Sequence, residues 1–248
     1  MKTVLIVDDD PVAIRLIGMI VARRGFGVAS AASAAEALAW LGEHHPVEVI
    51  VTDQNLGGTT GLELYAILQA DARYKPLPVV LCTGTTHWQT VNEAMKLGIK
   101  HLIVKPIAPN VVITKVEAAA AERPPIMQPR ESIMARLLLA QGEYAGLVQV
   151  TLGHLAQLRE ELDRACAKRD RTAAVEAVEK LGEPARLLRA TRLVEAVGGV
   201  PVKAGWTGLE APVGLVLNEV VALEAALAEE IEALGPGRQL GFPGSGAQ

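Results

Sequence analysis

The stretch VLIVDDDPV, residues 4–12, runs from an aliphatic segment straight into three aspartates and a proline. Consecutive aliphatics of this kind read as a strand buried on both faces. Three like charges at its end repel one another, so the pattern requires something that offsets the repulsion. Asp10 has the simplest role: with Pro11 behind it, it reads as the N-cap of a helix that starts on proline. Asp8 and Asp9 are left at the strand end as candidates for chemistry.

Working outward, the alternation persists to about residue 121. The runs TVLIV, GVASA, VEVIVT, LPVVLCT and HLIVK alternate with amphipathic segments near 12–24, 34–42, 61–71, 87–97 and 109–121. Gly25, Gly42 and Gly98 stand where helices should end in a left-handed cap. Strand and helix in strict alternation force parallel pairing with helices on both faces, which predicts a five-stranded, doubly wound α/β sheet. Residues 122–130, ERPPIMQPR, hold three prolines and read as a stiff linker. Beyond it, residues 131–140, about 143–169, about 171–197 and about 212–234 are helical and rich in Ala, Leu, Glu and Arg. The LGEP at 181–184 is expected to break or kink the third of these, and GGVPV at 198–202 is a strand-like run. The expected organisation is an α/β domain at 1–121, the linker, an all-α output domain at 131–234 and a disordered glycine-rich tail at 235–248.

Composition limits the function classes. Aromatics are 3% of a chain that is 50% apolar, so the core is aliphatic. The net charge of -4 lies in residues 131–248, which hold 12 basic and 16 acidic residues against 12 and 12 in residues 1–130. Neither part offers the basic excess that nucleic-acid binding needs. Cys82 and Cys166 are too few for a disulfide framework or a zinc site, and read as packing residues. No segment is expected to reach the roughly 20 apolar residues of a membrane span. The short apolar start, followed by three acids, is not a signal peptide. A cytoplasmic protein is expected.

In an open α/β sheet, ligands bind outside the carboxyl ends of the strands. There the sequence places Asp8 and Asp9 after the first strand, Asp53 after the third, Thr83 after the fourth, and Lys105 with Pro106 after the fifth. Converging carboxylates repel unless a cation sits among them. Hard oxygen ligands with open positions suit Mg²⁺. A carboxylate beside a divalent metal, a lysine and a hydroxyl is equipped to attack a phosphoryl group and hold the product's charge. The rim therefore points to aspartyl phosphorylation.

These five positions, in this order, resemble the signature of the response-regulator receiver domain, over residues 1–121. The resemblance implies a flavodoxin-like fold with Asp53 as phosphoacceptor. It further implies Asp9 as direct metal ligand, Asp8 acting largely through water, and the Asn55 carbonyl completing the Mg²⁺ ligands. Thr83 would bond a phosphoryl oxygen, Lys105 would pair with the phosphate, and the Lys105–Pro106 bond would be cis. A cognate histidine kinase or phosphotransfer protein would supply the phosphoryl group. Two departures stand out. Leu102 occupies the place of the family's usual aromatic switch residue, and Gly57 the place of a common proline, which predicts a more flexible loop. With the aromatic absent, the loop TGTTHW, with Trp88 as an interface anchor, is the expected output route.

The second half carries no enzyme signature, and its expected use is docking of a downstream protein partner or homodimerisation. It loosely resembles a histidine-phosphotransfer bundle, but Val178 stands where that family has its histidine. Two alternatives remain: a DNA-binding regulator using Arg186, Arg189 and Arg192, and a phosphorelay carrier using His154.

Overall fold

Val4, Leu5, Ile6 and Val7 have no solvent exposure at all, as a strand buried on both faces demands. The computed structural model describes residues 2–84 and 88–234. Its strands are β1 (Thr3–Val7), β2 (Gly27–Ala31), β3 (Val49–Asp53), β4 (Val79–Thr83) and β5 (His101–Val104). They form one parallel sheet in the order β2-β1-β3-β4-β5. Between them run α1 (Pro11–Ala22), α2 (Ala34–Gly42), α3 (Gly61–Ala70) and α4 (Trp88–Leu97), with α5 (Pro109–Ala120) after β5. Alternate strand residues feed two cores. Leu5, Val7, Ile50 and Leu81 pack with α2 and α3. Val4, Ile6, Val51, Val80 and Ile103 pack with α1 and α5. A one-residue slip would exchange the two sets, and each buried aliphatic side chain contributes about 1.5–3 kcal/mol, so the register is firmly set. In that register Asp53 lies beside Cys82, and Thr83 beside Val104. The chemical residues thus end at one level.

Helix starts follow the sequence. Asp10 accepts from the Val12 N–H at 2.8 Å with Pro11 in the first turn, and Thr60 and Glu63 form a capping box on α3. Gly25 (φ 81°) and Gly98 (φ 98°) are left-handed as expected. Gly42 is not; it ends α2 as a helical residue, and His44 (φ 61°) makes the left-handed turn instead.

The chain divides into two compact units, Met1–Pro124 and Pro125–Gln248. The first residues of the expected linker are tied into the α/β unit. The Glu122 carboxylate accepts from Lys100 Nζ at 3.1 Å and lies 3.0 Å from His101 Nε2. Arg123 donates to the Val47 carbonyl at 2.8 Å.

The second unit contains α6 (Arg130–Leu137), α7 (Gln141–Lys168), α8 (Arg171–Leu187), α9 (Thr191–Gly198) and α10 (Trp206–Leu234). Helices α8 and α10 both pack on α7, and α9 packs on α8 and α10. Tyr144, Leu155, Leu181, Leu193 and Leu223 lie in their common core. The expected single helix at 171–197 is two. Pro184 sits inside α8, and the break falls after it, at Arg189 (φ 49°). A proline in the last turn removes a single N–H bond. The left-handed Arg189, by contrast, lets the Ala190 N–H reach back to the Ala185 carbonyl at 2.8 Å. The turn leaves both Leu188 and Leu193 in the core. GGVPV ends α9 at Gly198 and continues as the turn before α10 rather than as a strand, and α10 starts at Trp206 rather than 212. The expected tail at 235–248 lies outside the described residues.

Helix α10 also corrects the reading that no segment is long and apolar enough to cross a membrane. It has 29 residues and a mean hydropathy of 1.6 over its most apolar window, half of which is buried inside the unit. Leu209, Val213, Val216, Val220 and Leu227 account for that composition as core. Three glutamates on α10 each meet an arginine from a different helix. Arg192 of α9 pairs with Glu219 at 2.7 Å, Arg159 of α7 with Glu224 at 3.0 Å, and Arg130 of α6 with Glu230 at 2.9 Å.

Leu138, the C-cap of α6, is left-handed (φ 55°) and 89% exposed. A leucine there carries backbone strain of about 1–2 kcal/mol with no burial to offset it. Leu138→Gly relieves that strain and gives back about 0.5–1 kcal/mol through the freer unfolded chain. The expected net gain is about 0.5–1 kcal/mol, read as a higher urea midpoint of the helical transition. A lowered midpoint would show that Leu138 makes a contact worth more than its strain.

Candidate phosphoacceptor and metal site

Each chemical side chain is placed by the end of a strand. Asp8 follows β1 and is 1% exposed, and Asp53 closes β3 at 7%. Thr83 closes β4 at 1%, and Lys105 follows β5, its backbone N–H donating to the Thr83 carbonyl at 2.8 Å. The Lys105–Pro106 bond is cis. Asp9 stands exposed on the loop after Asp8.

The Asp53 carboxylate is held from both sides. Lys105 Nζ lies 2.7 Å from Oδ1, and the Asn55 N–H donates to Oδ2 at 3.0 Å. The same ammonium is 3.6 Å from Asp8 Oδ2. Burial opposes the Lys105 charge, but the hydrogen bond and charge of Asp53, with the charge of Asp8, outweigh it and raise its pKa. Asp8 is also raised. Burial is the main cause, and the charges of Asp53 and Asp9 add to it against the Asp10 N–H and Lys105. The Asp10 N–H reaches Asp8 Oδ1 at 2.9 Å, whereas Asp8 Oδ2 is buried without a hydrogen-bond donor. One carboxylate oxygen from each of Asp8, Asp9 and Asp53 lies within 4.8 Å of the others. A buried carboxylate oxygen without a donor, inside an all-oxygen cluster beside an open loop, fits a hard divalent cation such as Mg²⁺. Cys82, next to Asp53 in register, takes no part. Burial first, then the Asp53 charge, pushes its thiol up to about 12.

Leu102 is half-buried beside Leu81 and packs on the α2/α3 core. His87 and the side chain of Trp88 lie outside the described residues. In the second unit, Val178 is buried in the core and His154 is exposed on α7. Arg192 is turned into the core, so Arg186, Arg189 and Arg192 do not form one solvent face.

Two glycines shape the site, Gly57 in the β3–α3 loop and Gly61 at the start of α3; the sequence marked Gly57 only as a departure from the family's proline, and Gly61 not at all. Gly57 (φ 63°) lies against Asp9, where a Cβ would stand 3.3 Å from Oδ2. Gly61 donates its N–H to the Gln54 carbonyl at 2.9 Å, and a Cβ on it would meet the Asp53 carbonyl oxygen at 2.4 Å.

Fold and rim together define an α/β module with an acidic, lysine-tethered cluster at the carboxyl edge of a five-stranded parallel sheet. Residues 4–117 match the response regulator receiver domain family. The chain is 32% identical over 114 residues to chemotaxis protein CheY1 of Helicobacter pylori, a match covering 46% of this chain and 92% of that protein. It is 34% identical over 115 residues to chemotaxis protein CheY of Pseudomonas aeruginosa, covering 46% and 92%. The solved chemotaxis response regulator CheY4 of Vibrio cholerae is 27% identical, with 48% of this chain and 98% of that one covered and a TM-score of 0.45. The chain belongs to the response regulator receiver family through its first unit, as a component of two-component signalling. The helical unit lies outside that match.

Proposed function

We propose that this chain is a Mg²⁺-dependent phosphoreceiver that takes a phosphoryl group onto Asp53 and passes its state on through protein contacts of the helical unit. The observation that carries the reading is the Asp53 carboxylate, held between Lys105 and the Asn55 N–H and facing a buried Asp8 oxygen that has no donor. The donor is the phosphohistidine of a cognate histidine kinase or phosphotransfer protein. An Asp53 oxygen bonds to phosphorus as the histidine N–P bond breaks, and the electron pair leaves on the nitrogen. Asp8, Asp9, Asp53 and the Asn55 carbonyl would hold Mg²⁺, which supplies positive charge to the phosphoryl oxygens when bound. Lys105 leaves Asp53 Oδ1 to pair with the phosphoryl group, and the Thr83 hydroxyl donates to a second phosphoryl oxygen. Asn55 orients the carboxylate before transfer.

Receiver domains are signalling modules, and the output is a partner or a second copy recognised by the helical unit, in the cytoplasm where the kinase's phosphohistidine is found. The DNA-binding alternative loses its basis with Arg192, which is 7% exposed and committed to Glu219. Incubating the full chain with acetyl phosphate and Mg²⁺ should label it, and chelation of the metal or Asp53→Asn should abolish the label. Undiminished labelling of the asparagine variant would place the phosphoryl group elsewhere.

A further inference from the structure

The amino-terminal edge of the sheet, opposite the acidic rim, carries a cavity of about 200 Å³. Val79 and His101, the first residues of β4 and β5, stand at it, so a full strand length of about 13 Å separates it from Thr83. Leu77, Val79 and Ile99 give it a buried apolar wall. Around that wall stand Tyr65, Lys75, Lys100, His101, Glu122 and Arg123. The turn that carries Lys75 is fixed. The Lys75 N–H donates to the Asp71 carbonyl at 2.9 Å, and Gln69 Nε2 donates to the Lys75 carbonyl at 3.4 Å. Gly98 (φ 98°) leaves room for the Tyr65 hydroxyl, which would stand 3.2 Å from a Cβ there. Burial, the main cause, and the Glu122 charge raise the Tyr65 pKa against Lys100, so the hydroxyl stays a donor.

The charges at this edge do not cancel. Lys100 Nζ and His101 Nε2 meet the Glu122 carboxylate at 3.1 and 3.0 Å, and Arg123 and Lys2 each approach Glu48 at 3.7 Å. Lys75 forms no ion pair among the described residues. Lys2, Lys75, Lys100 and Arg123 against Glu48 and Glu122 leave two positive charges in excess. The cavity also receives one carboxylate already, that of Glu122, just before the chain leaves the α/β unit at Pro124. We infer that this cavity binds a small dicarboxylate, with one carboxylate on Lys75 and the Tyr65 hydroxyl, the other sharing Lys100 and His101 with Glu122, and the carbons between them on the apolar wall. A dianion matches the excess of two charges. The volume lies below the roughly 300–1,000 Å³ of sites for drug-sized molecules, which restricts the occupant to a small acid. Inorganic phosphate carries the charge but leaves the apolar wall bare. The inference is independent of the metal-dependent reading of the opposite rim.

The test is titration calorimetry of the full chain with disodium succinate at constant ionic strength, with sodium acetate and inorganic phosphate as comparison anions. Saturable one-to-one binding of succinate is expected, about tenfold tighter than that of acetate or phosphate. Lys75→Met and Lys100→Met are each expected to weaken succinate about fivefold, and Glu122→Gln, which removes a like charge, to tighten it about threefold. All three side chains are exposed, so the variants are expected to keep the wild-type circular dichroism spectrum. Lys96→Met, which removes an exposed cation of α4 outside the cavity, is expected to leave the affinity unchanged. No saturable binding of succinate, or equal binding of all three anions, overturns the inference, because the excess charge would then only gather counter-ions. Phosphate that binds more tightly than succinate overturns the dicarboxylate assignment. Equal losses in Lys96→Met and Lys75→Met overturn the placement in this cavity.

Discussion

Replacing Gly61 with alanine should cost the α/β unit about 3 kcal/mol and most of its capacity for phosphorylation. Helix propensity alone argues for the opposite sign. Gly61 opens α3, and alanine is the better helix former by about 0.5–1 kcal/mol. The contact decides. The new Cβ would lie 2.4 Å from the Asp53 carbonyl oxygen and 2.7 Å from Leu81 Cδ1. The leucine methyl can turn aside, but a strand carbonyl cannot. Either α3 lifts off the sheet or the end of β3 is displaced, and Asp53 is the last residue of β3. Overpacking of this kind costs about 1–3 kcal/mol, and a backbone partner places it at the upper end. Denaturant unfolding and acetyl phosphate labelling of Gly61→Ala should both fall. Wild-type values in both would mean that the loop absorbs the methyl.

The second large effect lies in the helical unit. Arg192 and Glu219 are 7% and 5% exposed and joined by two bonds, Nε to Oε2 at 2.7 Å and Nη2 to Oε1 at 3.3 Å. Removing one member of a buried pair leaves the other as an uncompensated charge, which costs about 3–5 kcal/mol. Native domains hold only about 5–15 kcal/mol in all, so Arg192→Met should bring the helical transition close to collapse in far-ultraviolet circular dichroism. Arg192→Met combined with Glu219→Leu removes both charges, and is expected within about 1 kcal/mol of wild type. A single variant that loses less than about 1 kcal/mol would show that water reaches Glu219.

The sheet was legible because its central strands β1, β3 and β4 are buried on both faces, which leaves no choice but a continuous aliphatic run such as residues 4–7. The rim was legible because Asp8, Asp53, Thr83 and Lys105 stand at the ends of successive strand-like runs, and parallel pairing brings those ends to one edge of the sheet. Other features come from packing between elements distant in sequence. Gly61 reads as an ordinary loop glycine until α3 is laid against β3. Nothing local distinguishes Arg189 as the left-handed residue that ends α8, whereas Pro184 carries the conventional helix-breaking signal and does not end it. The expected linker merged two kinds of residue. Its prolines announce themselves, but the attachment of Glu122 to Lys100 and of Arg123 to Val47 depends on where α5 delivers the chain.

The pairing of α10 has a consequence for the order in which the protein is made. Arg130, Arg159 and Arg192 lie on helices synthesised before α10, and each has its glutamate there. As the ribosome releases the chain, α6 to α9 emerge with a shared apolar surface and before the glutamates that Arg130 and Arg192 meet on α10, whereas Arg159 already has Asp163 at 3.5 Å on its own helix. The nascent bundle therefore cannot close on Arg192 until Glu219 arrives, and folding of the unit is held back until α10 is out. When α10 does arrive, its hydrophobic length meets a surface already assembled to receive it. A ribosome that stalls before residue 206 leaves a four-helix fragment with unmatched charge and bare leucines, the kind of product that chaperones and proteases remove.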